Sequence, residues 1–420
     1  MRNFLSLSPI LLFLSLYLLG GVLLQDFYSL SVPLLLLFSI AVAIIQNKRI
    51  LFSDRLQVLV KGAGQPNVIL MCIIFILAGG FTNLAKSLGA IDTLINYGLT
   101  VLPPSVFLVG IFLMACFVSL SMGTSVGTIV TMVPIAISLA DTTHIPLGIA
   151  VGAVISGAMF GDNLSLVSDT TIVITQAMEC SNKEKLLTNL RYILPAAILT
   201  CVIYYISSFN YDFQFIAPAN NGHLLFISPY LIVLVLSLIG FPVFVTLFLG
   251  LISSIILALT QGYTFVKIMN IIGSGFASMS DIIIITLLIG GLIAIVQDNG
   301  GLDYILKNIH SKTKNKRIAE TMMVSTVGLV NICVANNTIS LVAASPILKE
   351  IKDKYQLNAS RTASLLDMTS CVVQGLIPYG LQLIMVEKLT SKASVFFIPY
   401  AYYPILMAIT IIWIIAKQKK

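Results

Sequence analysis

Charged residues are scarce in this sequence: Asp, Glu, Lys and Arg together make up 10% of its 420 residues. A soluble domain carries about 25% charged residues. Here 58% of the residues are hydrophobic, and the mean hydropathy is +1.00. This composition excludes an ordinary soluble protein and predicts an all-α polytopic membrane protein whose main partner is the lipid bilayer.

The residues typical of metal, redox and ATP chemistry are also few or badly spaced. The three histidines are scattered, and the six cysteines form no CxxC pair, so no structural metal site is predicted. A GxxxxGK[ST] phosphate loop is missing, which argues against an ATP-driven pump. We therefore expect no enzyme activity, no cofactor and no nucleic-acid partner.

The sequence does contain an internal repeat. Five glycines and one aspartate of the first half recur 211 residues later: Gly62, Gly64, Gly79, Gly80, Gly89 and Asp92 become Gly273, Gly275, Gly290, Gly291, Gly300 and Asp303. Chance would match less than one of the five glycines, because glycine makes up roughly 7% of residues. We predict two homologous units, residues 1–212 and 213–420, with the functional site between them.

Apolar runs predict five membrane crossings in each unit. They cover 4–24, 29–46, 67–87, 145–180 (interrupted) and 192–208, then 223–239, 241–260, 281–298, 358–390 (interrupted) and 394–416. The run 4–24 lacks a small-residue cleavage pattern, so we interpret it as a span and not a signal peptide. Between the third and fourth spans of each unit lie a short amphipathic stretch (89–102; 301–311) and two half-length apolar runs around a polar tip (105–140; 317–351). We interpret each such pair of runs as a re-entrant hairpin.

Positive charges predict the orientation of these spans. Five crossings is an odd number, so the second unit would be inverted relative to the first. With a cytoplasmic N-terminus, twenty of the 24 Lys and Arg residues face the cytoplasm, among them Lys185. Only Lys86, Lys267, Lys388 and Lys392 fall outside. We predict a plasma (inner) membrane protein with both termini in the cytoplasm.

Four polar interruptions break the apolar segments at matching places in the two units. Two are hairpin tips, 121–128 and 334–338, and two are breaks in spans, 161–171 and 374–380. Non-helical backbone survives in a membrane only where it lines a cavity or packs inside protein. Half-helix C-termini offer carbonyl oxygens to cations, and Ser, Thr and Asn add neutral oxygen ligands. The breaks therefore predict a site for a small hard cation such as Na⁺.

Carboxylates at these breaks indicate a functional site more specifically than the neutral oxygens do. Asp162 and Asp169 flank the first break, and an acid inside a membrane is a functional candidate because it is costly to place there. Either acid can hold Na⁺ when ionised or a proton when neutral. Asp367 in the second interrupted span is a candidate third coupling acid. Structural roles stay open: Asp169 as a helix cap, Asp367 as the partner of a buried hydroxyl or amide, and 336–338 as an ordinary turn.

The predicted site combines these acids with neighbouring neutral oxygens. The candidate ion-binding and coupling residues are Thr124, Ser125, Asp162, Asn163, Ser165, Ser168, Asp169, Thr170, Asn336, Asn337, Thr338, Asp367 and Gln374. Those predicted to ligate Na⁺ directly are Asp162, Asp169, Asn336, Asn337 and Thr338. Gln374 stands 212 residues after Asp162, so the two units differ in charge at this position.

At these residues the chain resembles the NhaC family of sodium:proton antiporters, part of the wider ion-transporter superfamily. The resemblance lies in Gly157–Ser165, Ser168–Thr171, Ala335–Thr338, Ala363–Asp367, and in Ser370-Cys371 with Gln374–Gly380. One position departs from it, because Leu166 stands where the family usually has proline.

The resemblance implies two inverted repeats, hairpin tips that meet near the membrane midplane, and a homodimer. It also implies secondary transport driven by an ion gradient. Our leading hypothesis is exchange of Na⁺ for H⁺, with Asp162 and Asp169 as the exchangeable carboxylates. The alternative, which the family also permits, is Na⁺- or proton-coupled transport of an amino acid or small carboxylate. A small cation, and in the alternative a small organic solute, would then be the transported partners.

Overall fold

The computed structural model is built from α-helices. It describes residues 4–24, 31–46, 51–90, 93, 103, 106–165, 168–209, 224–239, 241–301 and 315–418. Most of the predicted amphipathic stretches 89–102 and 301–311, and also Leu166, lie outside these ranges. The all-α membrane fold predicted from composition is confirmed.

The α-helices of the first half are α1 (Ser8–Leu24), α2 (Val32–Gln46), α3 (Phe52–Ala63), α4 (Pro66–Ser87), α5 (Phe107–Met122), α6 (Ser125–Thr143), α7 (Leu147–Leu164), α8 (Asp169–Met178) and α9 (Asn182–Ser208). Those of the second half are α10 (Ser228–Ile239), α11 (Val243–Thr260), α12 (Phe265–Ser278), α13 (Ser280–Asp298), α14 (Lys316–Val334), α15 (Asn337–Lys354), α16 (Ala359–Leu376), α17 (Leu381–Thr390) and α18 (Tyr402–Ala416). A 3₁₀ helix, Ser394–Tyr400, precedes α18 at an angle of 61°.

Eight helical segments of the described chain are long and apolar enough to cross a membrane, and a ninth is formed if the bent pair before the C-terminus counts as one span. Both interrupted spans are present: α7–α8 is the first broken helix and α16–α17 the second. The hairpins are also present, as α5–α6 and α14–α15, but their arms are 16 to 19 residues long and are not half-length. Re-entry and inversion of the units stay predictions.

Two helices were not predicted, and their contacts explain six of the ten repeated glycines: Gly62, Gly79, Gly80, Gly275, Gly290 and Gly291. The helices α3 and α12 are amphipathic, and each packs against a long helix of the other half, α3 on α13 and α12 on α4. A Cβ on Gly275 would lie 2.3 Å from the carbonyl oxygen of Gly79, and one on Gly62 would lie 2.6 Å from that of Gly290. The glycines therefore allow two equivalent close helix crossings between the halves.

The start of α9 corrects one prediction. A loop was predicted before residue 192, but α9 begins at Asn182 with a capping box between Ser181 and Glu184. In such a box the serine side chain accepts from the backbone N–H of the glutamate, and the glutamate side chain accepts from the backbone N–H of the serine. The helix consequently carries Lys185 into the protein interior instead of leaving it in a cytoplasmic loop.

The helices also recur at the offset of the sequence repeat. The broken helix α7–α8 spans 147–164 and 169–178, and α16–α17 spans 359–376 and 381–390, each 212 residues later. Side-chain contacts repeat as well. The Ser119 hydroxyl on α5 donates to the Ala158 carbonyl of α7 at 2.6 Å, and the Asn331 amide on α14 donates to the Ser370 carbonyl of α16 at 2.8 Å. Each hairpin is thus bonded to the broken helix of its own half.

Candidate ion-binding site

Two hairpin tips and two breaks within helices position the candidate residues. The two hairpin tips turn at Gly123 and Ala335, which adopt left-handed conformations with φ of 69° and 48°. The two broken helices stop at Leu164 and Leu376 and restart at Asp169 and Leu381. Because helices end at these points, their terminal carbonyl and amide groups have no helical partner and are available to side chains or ions.

Asp162, near the end of α7, sits in a cage of hydroxyl groups. It is only 4% exposed. The Ser125 hydroxyl, from the first hairpin tip, donates to Oδ2 at 2.7 Å, and the Ser168 hydroxyl, from the first break, donates to Oδ1 at 2.7 Å. Thr170 extends the cage, with its hydroxyl 3.0 Å from that of Ser168. Among the described residues no Lys or Arg forms an ion pair with Asp162.

Asp367 on α16 is surrounded differently. It is fully buried, and its Oδ2 forms an ion pair with the ammonium of Lys185. The Asn163 side-chain amide donates to the same oxygen at 3.1 Å. The predicted third coupling acid is therefore held by a cation that belongs to the protein, and the amide partner considered for it is also present.

Asn163 is fixed from two sides by α9. The Asn189 side-chain amide donates to both the main-chain and side-chain oxygens of Asn163, at 2.8 Å each. The Lys185 ammonium also donates to the Asn163 main-chain oxygen, at 2.6 Å. These contacts bind the end of α7, and so the position next to Asp162, to α9.

A hydrogen-bonded chain joins the second half to the Asp162 cage. The Gln374 amide donates to the Ala335 carbonyl at the second hairpin tip (3.1 Å) and to the side-chain oxygen of Gln382 (2.6 Å). The Gln382 amide donates in turn to the Ser125 hydroxyl at 3.0 Å. Gln374, which stands in the second half where Asp162 stands in the first, thus reaches the cage through Gln382.

The remaining predicted residues have structural partners or line cavities. Asn336 caps α15, because its side-chain oxygen accepts from the Ile339 N–H at 2.9 Å, and that of Asn337 accepts from the Thr338 N–H at 3.0 Å. These bonds belong to the N-terminus of α15 and not to an isolated turn. The Ser165 hydroxyl donates to the Leu120 carbonyl at 2.7 Å. The Thr124 carbonyl accepts from the hydroxyl of Thr128.

Asp169 does not share the Asp162 cage. It is exposed and lines two adjoining cavities. The larger, about 260 Å³, lies at the first hairpin tip beside Thr124, Phe75 and Val243. The smaller, about 30 Å³, lies at the second tip beside Asn336 and Thr338. The Asp169 carboxylate makes no hydrogen bond or ion pair with any described residue. The helix cap considered for Asp169 is therefore not formed.

Several residues of the site were missed. These are Thr171, Lys185, Asn189, Asn331 and Gln382. The sequence contains a signal for Lys185, because Ser181 and Glu184 have the capping-box spacing and therefore place Lys185 in the first turn of a helix. Nothing in the sequence pairs it with Asp367, which lies 182 residues away.

The described residues contain no group of three or more His, Cys, Asp or Glu side chains placed to hold a metal ion together. What the geometry offers instead is one carboxylate with hydroxyl neighbours. Carboxylate, hydroxyl and carbonyl oxygens are ligands for hard cations.

Comparisons with known proteins identify the family of the chain. The model of the Na⁺/H⁺ antiporter family matches residues 5–209 and 220–417. The chain belongs to that family. The resemblance to NhaC antiporters is confirmed by similarity to the Na⁺/H⁺ antiporter NhaC of Bacillus subtilis strain 168, at 28% identity over 82% of this antiporter chain and 82% of the relative.

Two further relatives have names that include organic solutes. The malate-2H⁺/Na⁺-lactate antiporter of Bacillus subtilis strain 168 is 22% identical over 90% of this chain and 87% of its own. The arginine/ornithine antiporter ArcD of Halobacterium salinarum is 22% identical over 86% of this chain and 80% of its own. The proteins similar to this chain therefore include some named for Na⁺/H⁺ exchange and others named for exchange of organic solutes.

Proposed function

We propose that this antiporter exchanges Na⁺ for H⁺ at Asp162. The observation that carries the proposal is the isolation of this carboxylate: it is buried, it has two hydroxyl donors, and no described cationic side chain forms an ion pair with it. An ionised carboxylate in such a place is costly unless a cation neutralises it. A proton and Na⁺ both neutralise it, and they compete for the same oxygens.

The hydroxyl cage suits both occupants. A serine or threonine hydroxyl has one donor and two acceptor lone pairs, and it rotates freely. The hydroxyls of Ser125 and Ser168 donate to Asp162 in the structure. When Na⁺ binds, the same hydroxyls turn their oxygens to the ion, and Thr170 adds a further oxygen. Because Na⁺ and H⁺ compete for one carboxylate, the movement of Na⁺ in one direction is coupled to the movement of H⁺ in the other.

Motion of one set of elements against another would expose the site alternately. Ser125 belongs to the first hairpin tip, Ser168 to the first break, and Gln382 to the second broken helix. Two of these elements donate hydrogen bonds to the Asp162 carboxylate, and the third reaches it through the Ser125 hydroxyl. Movement of any one of them would therefore change the surroundings of the carboxylate. Asp367 takes no part in exchange in this mechanism, because Lys185 neutralises it.

The test is proton movement in liposomes that contain a pH-sensitive dye. After a pH gradient is imposed, Na⁺ without any organic solute should dissipate it for the unaltered protein and not for Asp162→Asn. The matched control is Asp54→Asn, an exposed acid of α3, which should behave as the unaltered protein. Full Na⁺-dependent proton movement in Asp162→Asn would contradict the proposal.

A second candidate function is Na⁺- or proton-coupled transport of a small organic solute. The cavity beside Asp169 favours it, because about 260 Å³ exceeds the need of a bare ion and its walls are mostly apolar. Its single carboxylate suits a solute with an ammonium group, such as an amino acid. Two relatives are named for malate, lactate, arginine or ornithine.

The same liposomes distinguish the two functions. Labelled amino acids and small carboxylates are offered with and without a Na⁺ gradient, to the unaltered protein and to Asp169→Asn. Solute uptake that is lost in Asp169→Asn supports the second function. Na⁺-dependent proton movement that needs no solute and survives in Asp169→Asn supports the first function alone.

We also propose the membrane context. Lys185 is buried and is left out of the charge count. Nineteen of the other 23 Lys and Arg residues lie on one side of the predicted topology, which favours a plasma (inner) membrane location with both termini in the cytoplasm. A homodimer is proposed from the family resemblance. Cysteine labelling from either side of sealed vesicles, at a residue introduced beside Lys417, tests the orientation of the C-terminus.

A further inference from the structure

The ammonium of Lys185 occupies a nest of oxygens deep in the protein. Its side chain is 1% exposed, and that of Asp367 is fully buried. Besides the ion pair with Asp367, the ammonium donates to the main-chain oxygen of Asn163 at 2.6 Å and to the Thr171 hydroxyl at 2.8 Å. These three oxygens come from α7, α8 and α16, so the nest joins both broken helices.

The composition of the nest is that of a cation site. A lysine ammonium has three N–H donors, and here each donor meets one oxygen. A carboxylate, a backbone carbonyl and a hydroxyl are also hard oxygen ligands of the type that alkali cations accept. The other carboxyl oxygen of Asp367, Oδ1, is buried without a hydrogen-bond partner among the described residues. It is a further unused acceptor at the same place.

A purely stabilising ion pair explains this arrangement less well. Replacement of a buried ion pair by apolar side chains is often neutral or stabilising, so burial of such a pair is weak evidence for a role in stability. The positive charge also comes from a helix that supplies none of the three oxygens. Lys185 lies in the first turn of α9, and its long side chain extends to the end of α7.

We propose that the Asp367 nest is a second cation-binding site, and that Lys185 fills it as a tethered cation. If Lys185 is removed, the nest accepts a free monovalent cation, either Na⁺ or a small alkylammonium. This inference about the site is independent of transport, but its consequence rests on the proposed function. Because Lys185 holds Asp367, Asp162 is the one of these two buried aspartates that is left to exchange.

The first experiment restores the missing group from solution. Lys185→Ala removes Cγ, Cδ, Cε and the ammonium, which are the atoms of propylammonium. The variant is placed in an Asp162→Asn background, so that a Na⁺ response at Asp162 does not contribute. Its melting temperature in detergent is measured against added propylammonium chloride, NaCl and choline chloride, the last being too large for the nest.

We expect a saturable rise of several degrees with propylammonium or Na⁺ and none with choline, because a ligand that binds only the folded state stabilises it. Asp162→Asn with Lys185 intact should show no such rise. Addition of Asp367→Asn to the Lys185→Ala protein should abolish it. Equal responses to all three salts, or a response that survives Asp367→Asn, would overturn the proposal.

Failure of Lys185→Ala to fold is also informative. The variant is then purified in parallel in propylammonium, Na⁺ and choline salts. Recovery of folded protein in the first two salts but not in choline supports a cation site, whereas loss in all three shows that Lys185 is structural and overturns it. Both readouts are made without an ion gradient, so they are unaffected if Na⁺/H⁺ exchange at Asp162 proves wrong.

Discussion

The two broken helices have the same shape and different chemistry. The first, α7–α8, carries Asp162 in a cage of hydroxyls, with no described cation paired to it. The second, α16–α17, has Gln374 at the equivalent position and carries its own acid, Asp367, paired with Lys185. One half therefore holds a carboxylate that is open to a mobile cation, and the other half holds one that is already neutralised.

This difference suggests how two copies of one fold can form a single ion-exchange site. Two uncompensated acids close together in a membrane would each need a cation, and the cost of an unneutralised pair is high. In the proposed mechanism Lys185 neutralises Asp367, so of these two acids only Asp162 depends on ions from solution. The predictions below change this contrast between the broken helices, beginning with the largest expected effect.

The largest effect is expected on folding stability, when Asp367 and Asp162 are replaced by asparagine one at a time. Asp367→Asn leaves the Lys185 ammonium buried without its counter-charge, which costs about 3–5 kcal/mol of folding free energy. Asp162→Asn removes a carboxylate that has no cationic partner, so the melting temperature should stay the same or rise. Thermal unfolding in detergent at low Na⁺ measures both, with Asp54→Asn as the control. Equal losses in the two variants would show that the acids are not neutralised differently.

The next effect concerns how tightly each broken helix packs on its hairpin. A Cβ on Gly161, beside Asp162, would lie 2.5 Å from the carbonyl oxygen of Cys116 on α5. In the second half a Cβ on Gly328 of α14 would lie 3.8 Å from Thr369. Gly161→Ala should therefore cost about 1–3 kcal/mol through overpacking and displace Asp162.

The matched control for that variant is Gly328→Ala, which adds the same methyl group where space exists. It should change the melting temperature and the apparent Na⁺ affinity little. Melting curves and Na⁺-dependent proton movement measure both variants. If the two substitutions prove equally tolerated, the first broken helix is not fixed by this close contact.

Much of this contrast is visible in the sequence. The two breaks, the two tips and the candidate acids follow from polar clusters such as 161–171 and 374–380 within apolar runs. The glycine pairs at an offset of 211 predict a repeat, and the structure shows that they mark helix crossings between α3 and α13 and between α4 and α12. Local patterns of hydrophobicity therefore predict the elements well.

Side-chain pairing over long sequence separations is what the sequence does not reveal. Lys185 resembles the other basic residues at the ends of spans, and its neutralisation of Asp367 depends on how α9 packs against α16. In the same way Asp162 and Asp169 look equivalent in the sequence. A break of a few residues sends one into a hydroxyl cage and the other into a cavity.

A smaller effect is expected from the cage hydroxyls. Ser125→Ala and Ser168→Ala each remove one hydrogen bond to the Asp162 carboxylate and one oxygen available to Na⁺. The hydrogen bond is made while the ion is absent, so the lost ligand oxygen decides the direction of the change. If that oxygen contributes as much as other contacts to charged groups, about 1.5–3 kcal/mol, each variant should weaken the apparent Na⁺ affinity about tenfold or more. Thr326→Ala is the control, because among the described residues its buried hydroxyl donates only to the Met322 carbonyl of its own helix. An unchanged affinity in both serine variants would remove the cage from the mechanism.

The smallest effect is expected at the far end of the first broken helix. Glu179, just after α8 and outside the membrane-spanning segments, accepts hydrogen bonds from Lys349 (2.6 Å) and Lys352 (3.4 Å) of α15. The hydrogen bond from Lys349 above all, with its positive charge and that of Lys352, lowers the pKa of Glu179 below its ordinary value. The first broken helix is thereby tied to the second hairpin, a link that depends on the charge of Glu179.

The sign of the pH dependence follows from that lowered pKa. A carboxyl whose pKa is lower in the folded state stabilises the fold above its unfolded pKa, and this contribution disappears as the pH falls through the folded pKa. Glu179→Gln should therefore lower the melting temperature slightly at about pH 7 and not in acid below the ordinary carboxyl range. High salt should shrink the difference, since exposed pairs are screened. A difference that persisted unchanged in acid would mean that Glu179 acts through packing and not through its charge.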